Sequence, residues 1–158
     1  MGIFSFMSHV ERKVHDVKCR YFFHKFRNIM NEEKTFELMK KDRFVAHSGI
    51  ELIEVGEGSA VARMEVSDIH LNGVGVVQGG ALFTLCDFAC AAAANSHGSP
   101  AVSLDGSIDF IGAVSTGVLT VRVTEVSLKR TIASYQAEVK TEEGKLVATF
   151  HAKFFRKN

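Results

Sequence analysis

The stretch that decides the fold is GGALFTLCDFACAAAAN, residues 79–95. Its alanines are strong helix formers, and they predict a helix over residues 81–95. Apolar residues occupy nearly every face of that helix, which is typical of a helix buried on all sides. Gly79 and Gly80 allow close backbone approach at its beginning, and Gly98 follows its end, where a left-handed cap places glycine.

Strand patterns flank this helix in the sequence. Two strands joined by a turn precede it, at residues 49–55 and 60–66. Four alternating or β-branched segments follow it, at residues 101–111, 118–128, 131–140 and 146–155. A change of phase after Val123 indicates a bend or bulge in the second of these four. We expect the last four strands to form an antiparallel meander, and the whole chain to be an α+β protein with one long helix wrapped by an antiparallel sheet.

The first 46 residues differ from the rest, with ten Lys or Arg, six Asp or Glu and interspersed aromatic side chains. An amphipathic helix is predicted from the three- and four-residue spacing of Val10, Val14, Val17 and Tyr21. A second short helix is predicted over residues 32–41. Such helices either lie on a membrane surface or pack across a neighbouring sheet or subunit, and we favour packing. We divide the chain into a helical extension, residues 1–44, and a main domain, residues 45–158.

Composition narrows the classes of function. A net charge of +1 gives no support for nucleic-acid binding, and 46% hydrophobic residues are ordinary for a soluble domain. The three cysteines have no metal-like spacing and fit a reducing compartment. No secretory signal is recognisable. We therefore expect a cytoplasmic protein with no metal, no membrane insertion and no nucleic-acid partner.

One charge stands out in this apolar region. Between Ile69 and Leu104 the only formally charged side chain is Asp87, in the middle of the predicted helix. An unpaired carboxylate is costly to bury, and it responds by a raised pKa or by specific hydrogen bonds. Such residues are commonly retained for chemistry, so we interpret Asp87 as functional. The alternatives are a solvent-filled groove beside Asp87 or an ion pair with a distant arginine.

The helix N-terminus is the second candidate group. Opening with Gly79 and Gly80, it offers backbone N–H groups and the positive end of a helix dipole, which would stabilise an oxyanion. Asp87 is roughly two turns further along the helix, at about 1.5 Å per residue. That distance is long for one carbonyl group on one helix. A site shared between two subunits would remove the difficulty.

The spacing between Asn72, Gln78 and Asp87 is similar to a motif of a known family. Gln78 follows Asn72 by six residues, and Asp87 follows Gln78 by nine. With the Gly79-Gly80 pair, this pattern resembles the PaaI-like branch of the hot-dog thioesterases, which has His where this chain has Gln78. The likeness covers about residues 45–156 and leaves residues 1–40 unexplained.

The resemblance implies hydrolysis of an acyl-CoA thioester without a cofactor. Asp87 would act as general base on water or as nucleophile. The Gly79 amide would polarise the thioester carbonyl group, and Asn72 and Ser103 would orient the thioester or the attacking water. The family assembles as dimers, often paired into tetramers, with sites across the interface.

Two further features leave alternatives open. Lys129 and Arg130 resemble a basic turn that meets coenzyme A phosphates in relatives, but they also fit an ordinary solvated hairpin. Gln78 can hydrogen-bond but cannot titrate near neutrality. It either supports a working site or marks a non-catalytic acyl-CoA sensor. A hydratase or dehydratase is a third possibility, which lacks the expected Asp/His pair. His70 would lie near the site, and as a loop histidine we expect it to be exposed.

Overall fold

The computed structural model describes residues 24, 25 and 27–157. Helix α1 comprises the described residues 24, 25 and 27–39, and α2 spans Arg43–His47. The long helix α3 spans Gly79–Asn95. The strands are β1 (Ile50–Gly56), β2 (Ser59–Glu65), β3 (Ala101–Phe110), β4 (Val118–Leu128), β5 (Ile132–Thr141) and β6 (Leu146–Arg156). The prediction of one long helix against an antiparallel sheet is confirmed.

The six strands form one antiparallel sheet in the order β1-β2-β4-β5-β6-β3. The meander prediction is right for β4, β5 and β6 and wrong for β3, which pairs with β6 at the far edge instead of with β4. The register shift between Glu125 and Ser127 confirms the bulge expected in β4. Strand order could not be obtained from alternation, because alternation reports which face is buried and not which strand is the neighbour.

The segment after β3 crosses the end of the sheet to reach β4. Ile111 and Gly112 still donate their N–H groups to the Val147 carbonyl oxygen of β6, at 2.9 Å each. The carbonyl oxygen of Val114 then accepts the Val77 N–H at 2.8 Å, just before α3 begins. Residues 111–117 therefore pass by the N-terminus of α3, and they tie this end of the helix to the sheet.

Helix α3 packs its apolar side chains into the concave face of the sheet, and nine of its residues are buried. Facing them are alternate residues of the central strands, Leu119, Val121, Ala133, Tyr135, Val139, Phe150 and Phe154. The expectation of burial on all sides is wrong for one stripe of the helix. Phe83 is 37% exposed, and Gly80, Thr84 and Asp87 on the same side are not buried either. The open stripe carries the one charge of the helix.

The far end of α3 is fixed to the sheet by polar contacts. His97 Nε2 lies 2.6 Å from Glu125 Oε2, and Tyr135 donates its hydroxyl hydrogen to the same oxygen at 3.1 Å. Ser96, also just after the helix, accepts the Gly58 N–H at 2.9 Å. The two contacts from His97 and Tyr135 compensate the partial burial of the Glu125 carboxylate beside the β4 bulge.

The N-terminal segment is helical as far as it is described. The helix predicted over residues 32–41 is present, but it begins earlier and ends at residue 39. Asp42 caps α2 by accepting the Val45 N–H at 3.0 Å. The amphipathic helix predicted around Val10 to Tyr21 lies outside the described residues. The division of the chain at residue 44 stays a prediction. Within the described part of the chain, no helix is long and apolar enough to cross a membrane.

Two neighbouring phenylalanines of β6 test the packing. Phe154 is fully buried, with its ring edge-on to Tyr135 at 5.7 Å, whereas Phe155 points away and is 41% exposed. We expect Phe154→Ala to lower the free energy of unfolding by about 3–5 kcal/mol, since it leaves a core cavity, and Phe155→Ala by less than about 1 kcal/mol. Urea denaturation of both variants measures the difference, and equal losses would contradict the assigned faces of β6.

Candidate active site

Asp87 lies on the open stripe of α3 and is partly buried. Burial raises the pKa of its carboxyl group above the ordinary aspartate value. Hydrogen bonding with the Ser103 side chain of β3 opposes this rise, and the negative charge of Asp42 adds to it. The structure therefore places Ser103 close to Asp87.

Within the described residues, Asp87 forms no ion pair; their ion pairs join other side chains. The alternative of a distant arginine partner thus finds no support in this part of the chain. A carboxylate without a cation, held beside a hydroxyl and largely apolar surroundings, has the environment of a general base or nucleophile. The nearby thiol is no rival nucleophile, because burial raises the pKa of Cys86 to about 12.

The N-terminus of α3 is capped by Gln78. Its side-chain oxygen Oε1 accepts the N–H groups of Gly80 and Ala81, so these donors are already used. The Gly79 N–H has no hydrogen-bond partner among the described residues. The Phe110 ring lies against Gly79 so closely that a Cβ there would be 2.8 Å from the ring edge. A side chain at position 79 would therefore have to displace the exposed Phe110 ring.

Asn72 holds its own loop in shape. Its Oδ1 accepts the N–H groups of Val74 at 3.0 Å and Val76 at 3.3 Å, while its backbone N–H donates to the Val76 carbonyl oxygen. The amide Nδ2 has no partner among the residues described. Asn72 can thus donate one side-chain hydrogen bond outward without opening the loop.

The predicted groups do not all meet within one protomer. Asp87 follows Gly79 by eight residues in one unbroken helix, which corresponds to about 12 Å along the axis. The basic turn with Lys129 and Arg130 is exposed at the β4–β5 hairpin. The register aligns Ser103, Phe154 and Ala133 across β3, β6 and β5, so the turn is at the same end of the sheet as Ser103, about 10 Å away from β3.

The positions of two residues near the site were not correctly predicted from the sequence. His70 is buried, with Nδ1 accepting the Ser67 N–H at 2.9 Å and Nε2 2.9 Å from the Ser48 carbonyl oxygen. The expectation that His70 is exposed is wrong, because these backbone groups need its two ring nitrogens. Asp42 was missed altogether, since it is distant from Asp87 in sequence and only the packing of α2 places it nearby. In the described chain, no three His, Cys, Asp or Glu side chains form a metal-binding group.

The capping role of Gln78 predicts an effect on stability. We expect Gln78→Ala to lower the free energy of unfolding by about 0.5–2 kcal/mol, because the Gly80 and Ala81 N–H groups lose their acceptor. Gln78→Asn keeps a capping oxygen and should lose less. Urea denaturation measures both variants, and a fully stable Gln78→Ala would show that this cap does not support the helix.

Comparison with known proteins places these features in a family. The thioesterase superfamily model matches residues 74–148. The acyl-coenzyme A thioesterase PaaI of Escherichia coli strain K12 is 36% identical over 109 residues, which cover 68% of this chain and 78% of that protein.

Two solved structures give the same result. The E. coli PaaI protein from the phenylacetic acid degradation operon superposes with a TM-score of 0.77 at 30% identity, over 84% of this chain and 95% of that chain. A hypothetical thioesterase protein with coenzyme A from Streptococcus pneumoniae TIGR4 has a TM-score of 0.70 at 30% identity, over 76% and 97% of the two chains. Family, fold and motif agree, and this chain therefore belongs to the PaaI-like branch of the hot-dog thioesterases.

Proposed function

We propose that this protein hydrolyses acyl-CoA thioesters to the free acid and coenzyme A. The observation that carries the proposal is Asp87, a partly buried carboxylate beside the Ser103 hydroxyl on the one open stripe of an apolar helix. The relative from E. coli is an acyl-CoA thioesterase, and the S. pneumoniae structure contains coenzyme A. Both support a coenzyme A thioester as the substrate class.

The chemistry follows from the positions of these groups. Asp87 takes a proton from a water molecule held near Ser103, and the water oxygen attacks the thioester carbonyl carbon. The negative charge that develops on the carbonyl oxygen is stabilised by the Gly79 N–H at the positive end of α3. Collapse breaks the C–S bond, and the proton on Asp87 passes to the departing thiolate. Direct attack by Asp87 would instead give an anhydride that water hydrolyses to the same products.

A homodimer is part of the proposal, because Asp87 and the Gly79 N–H of one helix are too far apart for one carbonyl group. Strand β3 is an edge of the sheet, and it exposes 62% of Val102 and 57% of Leu104. An open apolar edge favours pairing with another chain. A second copy at this edge would bring its own Gly79 towards Asp87. Pairing of two dimers into a tetramer is the further assembly that we expect.

The remaining site residues have binding roles. Asn72 directs its free amide hydrogen towards the thioester or the water. Gln78 and Gly80 shape the helix N-terminus at which the carbonyl oxygen is bound. Lys129 and Arg130 pair with the phosphates of coenzyme A, which suits two exposed cations on a hairpin turn. No cofactor takes part.

One observation favours a second candidate, a non-catalytic acyl-CoA sensor. Gln78 stands where relatives have His, and its side chain is engaged in capping α3. If hydrolysis requires a titrating group at position 78, this protein would bind acyl-CoA without hydrolysing it. Hydrolysis is the better proposal because Asp87 and the free Gly79 N–H provide a base and an oxyanion donor without any histidine.

The hydrolase proposal predicts a sharp loss on neutralising Asp87. We expect Asp87→Asn to lower kcat by about 10²–10⁴-fold, since the proton acceptor is lost, with acyl-CoA binding retained. Thiol release from a panel of acyl-CoAs measures turnover, and calorimetry measures binding. Asp105→Asn is the matched control, because Asp105 is exposed in a surface ion pair with Lys153.

A measurement of thermal stability distinguishes a loss of catalysis in Asp87→Asn from unfolding of the variant. A carboxyl group with a raised pKa stabilises the folded state less once pH rises through that pKa, so Asp87→Asn should unfold at no lower temperature than the wild type at pH 7. Equal and slow thiol release by wild type and Asp87→Asn, with both binding acyl-CoA, would favour the sensor.

The raised pKa of Asp87 also predicts a pH profile. Activity requires the carboxylate, so kcat/KM should fall as pH decreases through a value above the ordinary aspartate pKa of about 3.9. Ser103→Ala removes the hydrogen bond that lowers this pKa, and it should move the acid limb to higher pH. A pH series of initial rates for both proteins measures the shift. A shift to lower pH in Ser103→Ala would contradict the assigned contact.

A further inference from the structure

A largely apolar cavity, open to solvent at its mouth, lies between the N-terminal helices and the hot-dog domain. We infer that it holds the acyl chain of the substrate, and that the N-terminal segment therefore sets which chain lengths are hydrolysed. This inference rests on the proposed thioesterase function. It assigns a role to α1 and α2, which the motif of the family does not explain.

The cavity has a volume of about 380 Å³, within the usual range of about 300–1,000 Å³ for small-molecule sites. Each neighbouring element contributes to it: α1, α2, β1 and α3. Its apolar lining includes Phe36, Met39, Val45, Ile50, Leu52 and Phe88. Four of these six, on four different elements, are buried at 8% exposure or less. The N-terminal helices thus supply about half of the apolar wall.

Charged side chains also line the cavity, but only at its edge. Lys40, Asp42 and Glu51 are exposed to solvent, whereas the buried lining is entirely hydrocarbon and thioether. Such an interior has no donor or acceptor for a hydroxyl or amide group of a ligand. It therefore suits an unsubstituted hydrocarbon chain, because an unpaired polar group would be costly there.

Two residues connect the cavity with the reacting group. Phe88 lines it and directly follows Asp87 in α3. Asp42 lines it as well, and its charge is close enough to Asp87 to raise the pKa of that carboxyl group. The cavity thus adjoins the turn of α3 that carries Asp87, although Asp87 itself is not one of the lining residues.

The other cavity near α3 has a different character. It lies beside the helix N-terminus, has a volume of about 400 Å³, and mixes apolar side chains such as Phe44, Ile69 and Leu71 with polar ones such as His47, Gln78 and Thr84. Its polar side chains offer the amide-containing arm of coenzyme A hydrogen-bond partners, which the buried lining of the apolar cavity lacks. The apolar cavity by Phe88 is accordingly the acyl site.

The test compares adjacent residues of β1. Leu52 lines the cavity, and its neighbour Ile53 does not and is 43% exposed. For the wild-type full-length protein, kcat/KM should rise about fourfold per methylene added to a straight-chain acyl-CoA until the cavity is full. Leu52→Trp occupies part of the cavity with its larger side chain, so it should move this limit about two carbons shorter. Ile53→Trp is the matched control and should keep the wild-type profile.

A second variant works in the opposite direction. Phe36→Ala enlarges the cavity and should extend the limit to longer chains, which tests the inference even if Leu52→Trp fails to fold. A wild-type rate independent of chain length, as expected if another part of the chain fills the cavity, would overturn the inference. So would an equal loss at every chain length in Leu52→Trp.

Binding separates this inference from the proposed hydrolysis. Calorimetry with Asp87→Asn measures the affinity for acetyl-, hexanoyl- and decanoyl-CoA without turnover. If affinity rises with chain length and Leu52→Trp in the same background abolishes the rise, the acyl site stands even where the wild type proves inactive. If wild-type turnover depends on Asp87 but affinity ignores chain length, hydrolysis stands and the acyl site is wrong.

Discussion

The fold depends on covering a helix that is apolar on almost every face. Water cannot solvate α3 without a large hydrophobic cost, and one antiparallel sheet of six strands curves around it to remove most of that surface. The side of α3 that the sheet does not reach is where polar and partly exposed residues occur. Asp87 lies on this side of the helix. A carboxylate there keeps some contact with solvent, although most of its surroundings are apolar.

Both electrostatic features of the candidate site come from helix α3. Burial of the helix keeps the Asp87 carboxyl group poorly solvated and therefore basic. The N-terminus of the same helix provides a backbone donor, with Gln78 using the N–H groups of Gly80 and Ala81 and leaving that of Gly79. One element thus carries the proposed base and the proposed oxyanion donor, but its rigidity keeps them two turns apart. That separation is the physical reason for expecting two copies of the chain around one substrate.

Much of this was predictable from sequence, though not all of it. The strand positions followed from alternation, and Asp87 followed from its isolation among apolar residues. The pairing of β3 with β6 could not be predicted, because the alternation of apolar residues carries no information on which strands are neighbours. The exposed stripe of α3 could not be predicted either, because Phe83 on this stripe is as apolar as the residues on the buried side. His70 owes its position to the distant Ser48 carbonyl oxygen, and Asp42 comes near Asp87 through the packing of α2, and neither relation has a local sequence pattern.

The pairing of β3 with β6 has a consequence for how the chain reaches its native state. Strand β3 leaves the ribosome before β4, β5 and β6, yet its hydrogen-bonding neighbour is the last of these. Until β6 arrives, β3 has neither of its long edges paired within the chain. Closure of so distant a contact is slow compared with hairpin formation, and β4, β5 and β6 can form hairpins first. The nascent chain is therefore expected to pass through a stage in which the edges of β3 are open to other proteins, and this stage ends when β6 pairs with β3.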